Sequence, residues 1–112
     1  MELTLDLSYL NEISDGDQEF INDVLCTFLE EMPKDMEQMN QALSANDVVS
    51  IGKIAHKTKS TLHTLGLFEL KELALKIEQS AKVNHQLPDI PKWAKEFMDY
   101  ILQVYPNVKS RL

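Results

Sequence analysis

Apolar residues recur at helical spacing along the whole chain, and this pattern predicts helices throughout. Residues 6–14 read as a short helix with Leu7, Leu10 and Ile13 turned inward. The triplet SDG at 14–16 breaks it, and Asp15 is the expected N-cap of the next helix. From 17 to 44 one stripe persists through Ile21, Leu25, Phe28, Met32, Met36, Met39 and Leu43, which predicts a single long helix. Pro33 lies inside it, where it removes the hydrogen bond to the Leu29 carbonyl and is expected to kink the helix; two separate helices are the alternative. Asn46 and Asp47 follow as cap residues. A third helix over 47–65 ends at Gly66, the expected left-handed residue. The fourth, over 68–83, turns Leu70, Leu73, Ala74, Ile77 and Ala81 inward. A polar loop with Pro88 and Pro91 leads to a last helix, with Pro91 in its first turn. That helix sets Trp93, Ala94, Phe97, Ile101 and Val104 on one face and is expected to stop before Pro106. Short loops make consecutive long helices antiparallel neighbours. The expected fold is therefore all-α: an up-down antiparallel four-helix bundle with a short additional N-terminal helix, one domain over residues 1–112.

Composition narrows the function classes. The 112 residues are 44% hydrophobic and 26% charged, enough to build a core without staples and unlike a disordered chain. With one cysteine, no internal disulfide can form, and the apolar helical setting of Cys26 reads as a small buried or half-buried hydrophobe. The acidic N-terminus lacks the features of a signal peptide, and no apolar run approaches a membrane span, so a soluble cytoplasmic protein is expected. A net charge of −7 argues against a nucleic-acid partner, since phosphate backbones need a broad basic surface. The methionines at 32, 36 and 39 read as core filling.

The third helix carries the candidate chemistry. At about 100° per residue, Ile51, Ile54, Ala55, Thr58, Thr61, Leu62 and Leu65 share one arc, and His56 lies about 160° from its centre. His56 therefore points outward, with Gly52, Lys53, Lys59, Ser60 and His63 around it. Between Asp47 and Glu69 there is no acidic residue, in a chain that has 18, and Lys53, Lys57 and Lys59 fall in that window. The result is a basic, small-residue patch on an acidic body. A neutral imidazole is a competent nucleophile toward phosphorus. Nearby lysines disfavour the imidazolium and attract phosphoryl oxygens. Lys59 sits one turn beyond His56, and Gly52, one turn before it, leaves room for a partner's backbone. The histidine is expected to have no carboxylate base beside it, which suits a carrier whose catalytic machinery comes with a docked partner. On spacing alone, however, an exposed histidine among lysines is also an ordinary solvated helix face.

The run AHKTKSTLHTLGLFELKELALKIE (55–78) sharpens that choice. Ala55, His56, Lys59, Leu65, Gly66 and Leu67, then Leu70, Ala74, Ile77 and Glu78, match a pattern that reads approximately A-H-x-L-K-G-S, then Leu-Gly, then a helix ending in L-E. The segment 6–33 also resembles the N-terminal half of the same family. Over about residues 6–82 the chain resembles the histidine-containing phosphotransfer domains. The resemblance implies a four-helix bundle in which His56 is the phosphoacceptor and Lys59 assists phosphoryl binding. It implies partners that are response-regulator receiver domains or a hybrid sensor kinase, with no nucleic acid and no membrane. It also implies no cofactor on this chain, the Mg²⁺ being brought by the receiver. The expected docking surface around His56 is Gly52, Lys53, Lys57, Ser60 and His63. The sequence departs from the family pattern at three places. Thr58 replaces Leu and is expected to bond back to the Ile54 carbonyl. Ser60 replaces Gly. His63 stands where small residues are common.

Three rival readings remain at this level. One is a scaffold of the same shape that binds receivers without transfer. The second is a metal site of His56 and His63, poorly spaced and without a completing ligand. The third is a self-contained enzyme, for which no phosphate-binding glycine loop or nucleophile-base pair is present; Glu30 and Glu31 read as a solvated face and His85 as an exposed loop residue.

Overall fold

The computed structural model describes every residue except position 2, and it contains five helices. They are α1 (Ser8–Ile13), α2 (Gln18–Ser44), α3 (Val48–Thr64), α4 (Phe68–Val83) and α5 (Asp89–Lys109). The long helices α2 to α5 form the expected bundle, 44 Å by 21 Å by 21 Å. α2 packs on α3 and α5, and α4 packs on the same two helices. Its core is a continuous cluster that includes Leu25, Phe28, Met39, Ile51, Leu62, Leu70, Ile77 and Phe97.

Local chemistry sets the helix ends. α2 starts at Asp17, whose carboxylate accepts from the Glu19 and Phe20 amides at 3.0 and 3.3 Å. Asp15, the expected cap, instead takes a left-handed turn conformation with φ 53°, next to Gly16 at φ 75°. Asp47 caps α3 through the Ser50 amide at 3.1 Å. Asn46 is the left-handed residue closing α2. At the far end of α3, the Gly66 amide donates to the His63 carbonyl and the Leu67 amide to the Leu62 carbonyl, a Schellman closure. Gly66 is required twice over there. Its φ is 73°, and an added Cβ would stand 2.3 Å from the Asp6 carbonyl oxygen, where the N-terminal segment crosses the α3–α4 turn.

The two internal prolines have different consequences. Pro33 sits within an unbroken α2 of 27 residues. The Leu29 carbonyl it frees accepts a hydrogen bond from the Tyr105 hydroxyl of α5 at 3.3 Å, so the defect becomes a tie between helices. Pro106 does not stop α5, which runs on to Lys109. The carbonyl it frees belongs to Leu102, a strongly exposed residue on the outer face of α5. Three smaller expectations also change. Ile13 is exposed rather than inward, because α1 is only six residues long and buries Leu10 alone. Cys26 is exposed on the outer face of α2. The Thr58 hydroxyl donates to the Ala55 carbonyl at 3.2 Å, one residue closer than expected.

Candidate functional site

His56 stands in the middle of α3, beside Ala55, which is fully buried. Its position on the outer arc leaves 64% of the side chain exposed. The imidazole is nevertheless not alone. Its Nδ1 lies 2.6 Å from Oε1 of Glu78, on α4. Lys59 Nζ reaches the same carboxylate with both oxygens in range, at 2.8 and 2.9 Å. Glu78 itself is only 3% exposed. The expectation of no neighbouring carboxylate is therefore corrected: the acid comes from the adjacent helix, 22 residues along the chain.

The charge state of Glu78 follows from its partners. Burial pushes its pKa up, but the hydrogen bonds and charges of Lys59 and His56 outweigh this and hold it below the ordinary glutamate value. An ionised carboxylate only accepts hydrogen bonds. The Nδ1 of His56 must then donate to it, and in the neutral form of the ring that placement of the proton leaves the lone pair on Nε2. The Lys59 ammonium has three N–H donors, and its contacts with the two Glu78 oxygens require at most two of them.

The other residues expected near His56 separate into distinct surroundings. Lys53 is exposed, one turn before it. Gly52 is not an open gap for a partner: it is buried in the seam between α3 and α4, and an added Cβ would stand 2.7 Å from the Ala81 Cβ. Its hydrogen lets the two helices approach closely enough for Glu78 to reach across to His56. Lys57 turns away from His56 and donates to Asp35 of α2 at 2.7 Å. Ser60 is exposed and lines a shallow groove with Leu10, Phe20, Val24 and Thr64. His63 is half-buried at the bundle end, edge-on to Tyr9 and Phe68 with ring centroids 5.2 and 5.4 Å away. Its Nδ1 lies 3.4 Å from Lys71 Nζ. The structure thus gathers His56, Lys59, Gly52 and Lys53 along the α3–α4 side, and sends Lys57, Ser60 and His63 elsewhere. Among the described residues no group of three histidine, cysteine or acidic side chains is placed to hold a metal ion.

Glu78 is the residue that reading α3 alone misses as a site group. Its signal is on α4: Ala74, Ile77 and Ala81 are buried, and Glu78 falls on the same stripe. A carboxylate on the inward face of an amphipathic helix needs a cation, and α3 supplies one.

An exposed histidine on a helical bundle, with a lysine one turn on and an acid from the next helix, is the arrangement that a histidine phosphotransfer module would need. The sequence matches the family model described as Hpt domain over residues 23–105, and the chain belongs to that family, the phosphocarrier modules of two-component signalling. Among solved structures, it is similar to histidine-containing phosphotransfer protein B from Pseudomonas aeruginosa PAO1. The TM-score is 0.82 at 20% identity, over 96% of this chain and 92% of that one. At that identity the likeness is one of fold. No curated protein sequence matches the chain. No helix is long and apolar enough to cross a membrane among the described residues.

Proposed function

We propose that His56 accepts a phosphoryl group from the aspartyl phosphate of one receiver domain and passes it to the aspartate of another. The observation that carries this reading is the 2.6 Å contact of Nδ1 with Glu78, on a side chain that is 64% exposed. The Nε2 lone pair attacks phosphorus, the N–P bond forms, and the P–O bond to the aspartyl carbonyl breaks. The electron pair leaves with the receiver's carboxylate. Positive charge builds on the imidazole as it bonds to phosphorus, and Glu78, already ionised, stabilises it without rearrangement. Lys59 offers its remaining N–H to a phosphoryl oxygen. Return transfer runs the same steps backwards, as a carrier requires.

In this reading the receiver brings the Mg²⁺ and the acidic pocket, and this chain holds neither. Its partners are response-regulator receivers or a hybrid sensor kinase, and its compartment is the cytoplasm. The test is to mix the protein with a phosphorylated receiver and Mg²⁺. Acid-labile, base-stable phosphate on the protein is expected, and it disappears in His56→Gln. A protein that binds the receiver but takes no phosphate would be a scaffold, and the proposal would fall.

A further inference from the structure

A cavity of about 310 Å³ opens on the α3–α4 seam, one turn before His56. Val49, Gly52 and Ala81 supply its apolar lining, Val49 from an exposed position, and Lys53, Lys82 and His85 its polar lining. Lys53 and Lys82 make no ion pair among the described residues. Asp47 is the acid that acts on Lys53 electrostatically, and it lines a separate groove on the other side of that lysine. His56 and Glu78 close the inner end of the cavity. Glu78 is the only acid in the lining, and its two oxygens are already taken by Lys59 and His56.

An apolar lining beside two uncommitted ammonium groups is unusual on a chain of net charge −7. The size is that of a small-molecule site rather than of a bare ion. We propose that this cavity binds a small organic anion, one with a carboxylate or phosphonate-like head and an apolar body. The head sits between Lys53 and Lys82, and the body lies over Gly52 and Ala81. This lining cannot fill in, because the close approach of Gly52 to Ala81 leaves no room for a larger residue at 52.

Occupancy has a consequence for the phosphotransfer reading above, on which this second part rests. An anion at this end of the cavity neutralises the positive field that draws phosphoryl oxygens toward His56. The bound state is therefore one in which His56 is phosphorylated slowly.

Phenylphosphonate is a suitable probe, since its C–P bond cannot donate a phosphoryl group. Amide shifts in the full chain should saturate at Val49, Gly52, Lys53, Ala81, Lys82 and His85. The shifts should persist in His56→Gln and vanish in Lys53→Gln/Lys82→Gln that melts like the parent. Neutral benzamide should produce none of them, and inorganic phosphate should bind more weakly than phenylphosphonate. Shifts that never saturate, that spread equally over Lys34, Lys95 and Lys109, or that survive in the double variant would overturn the site. Equal binding of inorganic phosphate would overturn its organic character. In the transfer assay, phenylphosphonate should slow phosphorylation of the parent severalfold and leave the double variant's rate unchanged; an unaffected parent rate would remove the regulatory consequence alone. Because binding is read in His56→Gln, loss of the carrier reading and loss of the cavity reading give different results.

Discussion

Two buried carboxylates face α3 from opposite sides, and only one of them meets the histidine. Asp35 of α2 and Glu78 of α4 are each 3% exposed. Each draws a lysine from α3, Lys57 and Lys59 respectively, two residues apart. Asp35 holds one partner, at 2.7 Å, and the result is a tie between two helices. Glu78 holds two, and the second is an imidazole that is 64% exposed. The same solution to a buried negative charge is thus structural on one face and chemical on the other. What separates them is whether the carboxylate is shared with a group that can react. In Glu78 the lysine neutralises the charge and the histidine receives a fixed orientation and tautomer.

That contrast is broken most directly by making the two carboxylates into amides. Glu78→Gln keeps an oxygen for Nδ1–H but loses the charge that supports the phosphorylated ring. A hydrogen bond to a charged group contributes about 1.5–3 kcal/mol, so the rate of phosphoryl transfer should fall by about ten- to a hundredfold. Asp35→Asn should leave it within about twofold, since Asp35 touches no reacting atom. Single-turnover transfer from one phosphorylated receiver measures both. Equal losses in the two variants would mean that Glu78 is only a structural tie.

A second break acts on the seam instead of the charge. Gly52→Ala puts a methyl group 2.7 Å from the Ala81 Cβ and forces α3 away from α4. Overpacking of this kind costs about 1–3 kcal/mol. The displacement falls on the Glu78 side and leaves the α2–α3 tie in place. Transfer should therefore slow by more than the stability loss explains, with the protein still folded at 25 °C. A variant whose transfer rate matches the parent's would show that the His56–Glu78 distance is not critical.

Much of this was legible in the chain because the bundle is written at helical period. All four long helices, the unbroken course through Pro33, the left-handed Gly66 and the outward His56 follow from spacing and backbone chemistry. The failures have a common cause. A wheel drawn for one helix places Lys53 and Lys59 around His56, and the acid-free stretch of sequence adds Lys57, but neither can say which neighbour each lysine will reach. The fates of Lys57 and Lys59 were decided by Asp35 and Glu78, which lie on other helices. Both acids were visible as charges on otherwise apolar stripes, Asp35 between Met32 and Met39, Glu78 between Ala74 and Ala81. Gly52 was misread for the same reason, since its neighbour across the seam, Ala81, is 29 positions along the chain. Pro106 shows the converse error: a local rule for stopping helices yields on the exposed side of α5, where the residue losing its hydrogen bond, Leu102, is strongly exposed.

On the structural side, Asp35→Asn sharpens the comparison through stability. It exchanges an ion pair for a hydrogen bond from the Lys57 ammonium to a neutral amide oxygen, and the melting temperature should fall by about 3–6 °C for a chain of this size. Scanning calorimetry near pH 7 measures the shift. A variant as stable as the parent would mean that Lys57, which is 59% exposed, contributes little through this tie.

The smallest effect, and the most discriminating, is in the pH dependence of stability, where the two sites act at opposite ends of the scale. Glu78 has a folded pKa below its ordinary value of 4.5. The unfolded chain therefore binds the proton first. The stability Glu78 contributes is complete above about 4.5 and is lost as pH falls through the lower, folded value. Lys57 behaves in the opposite sense. Its hydrogen bond to Asp35 raises its pKa above 10.5, so its contribution is complete below that value and is lost as pH rises through the folded one. Melting temperatures recorded from pH 3 to pH 11 in the parent, Glu78→Gln and Lys57→Met should separate the limbs. Glu78→Gln should flatten the acid limb alone, and Lys57→Met the alkaline limb alone. Flattening of both limbs by either substitution would show that the two carboxylates act as one coupled network through α3, and the division between tie and reactive site would no longer hold.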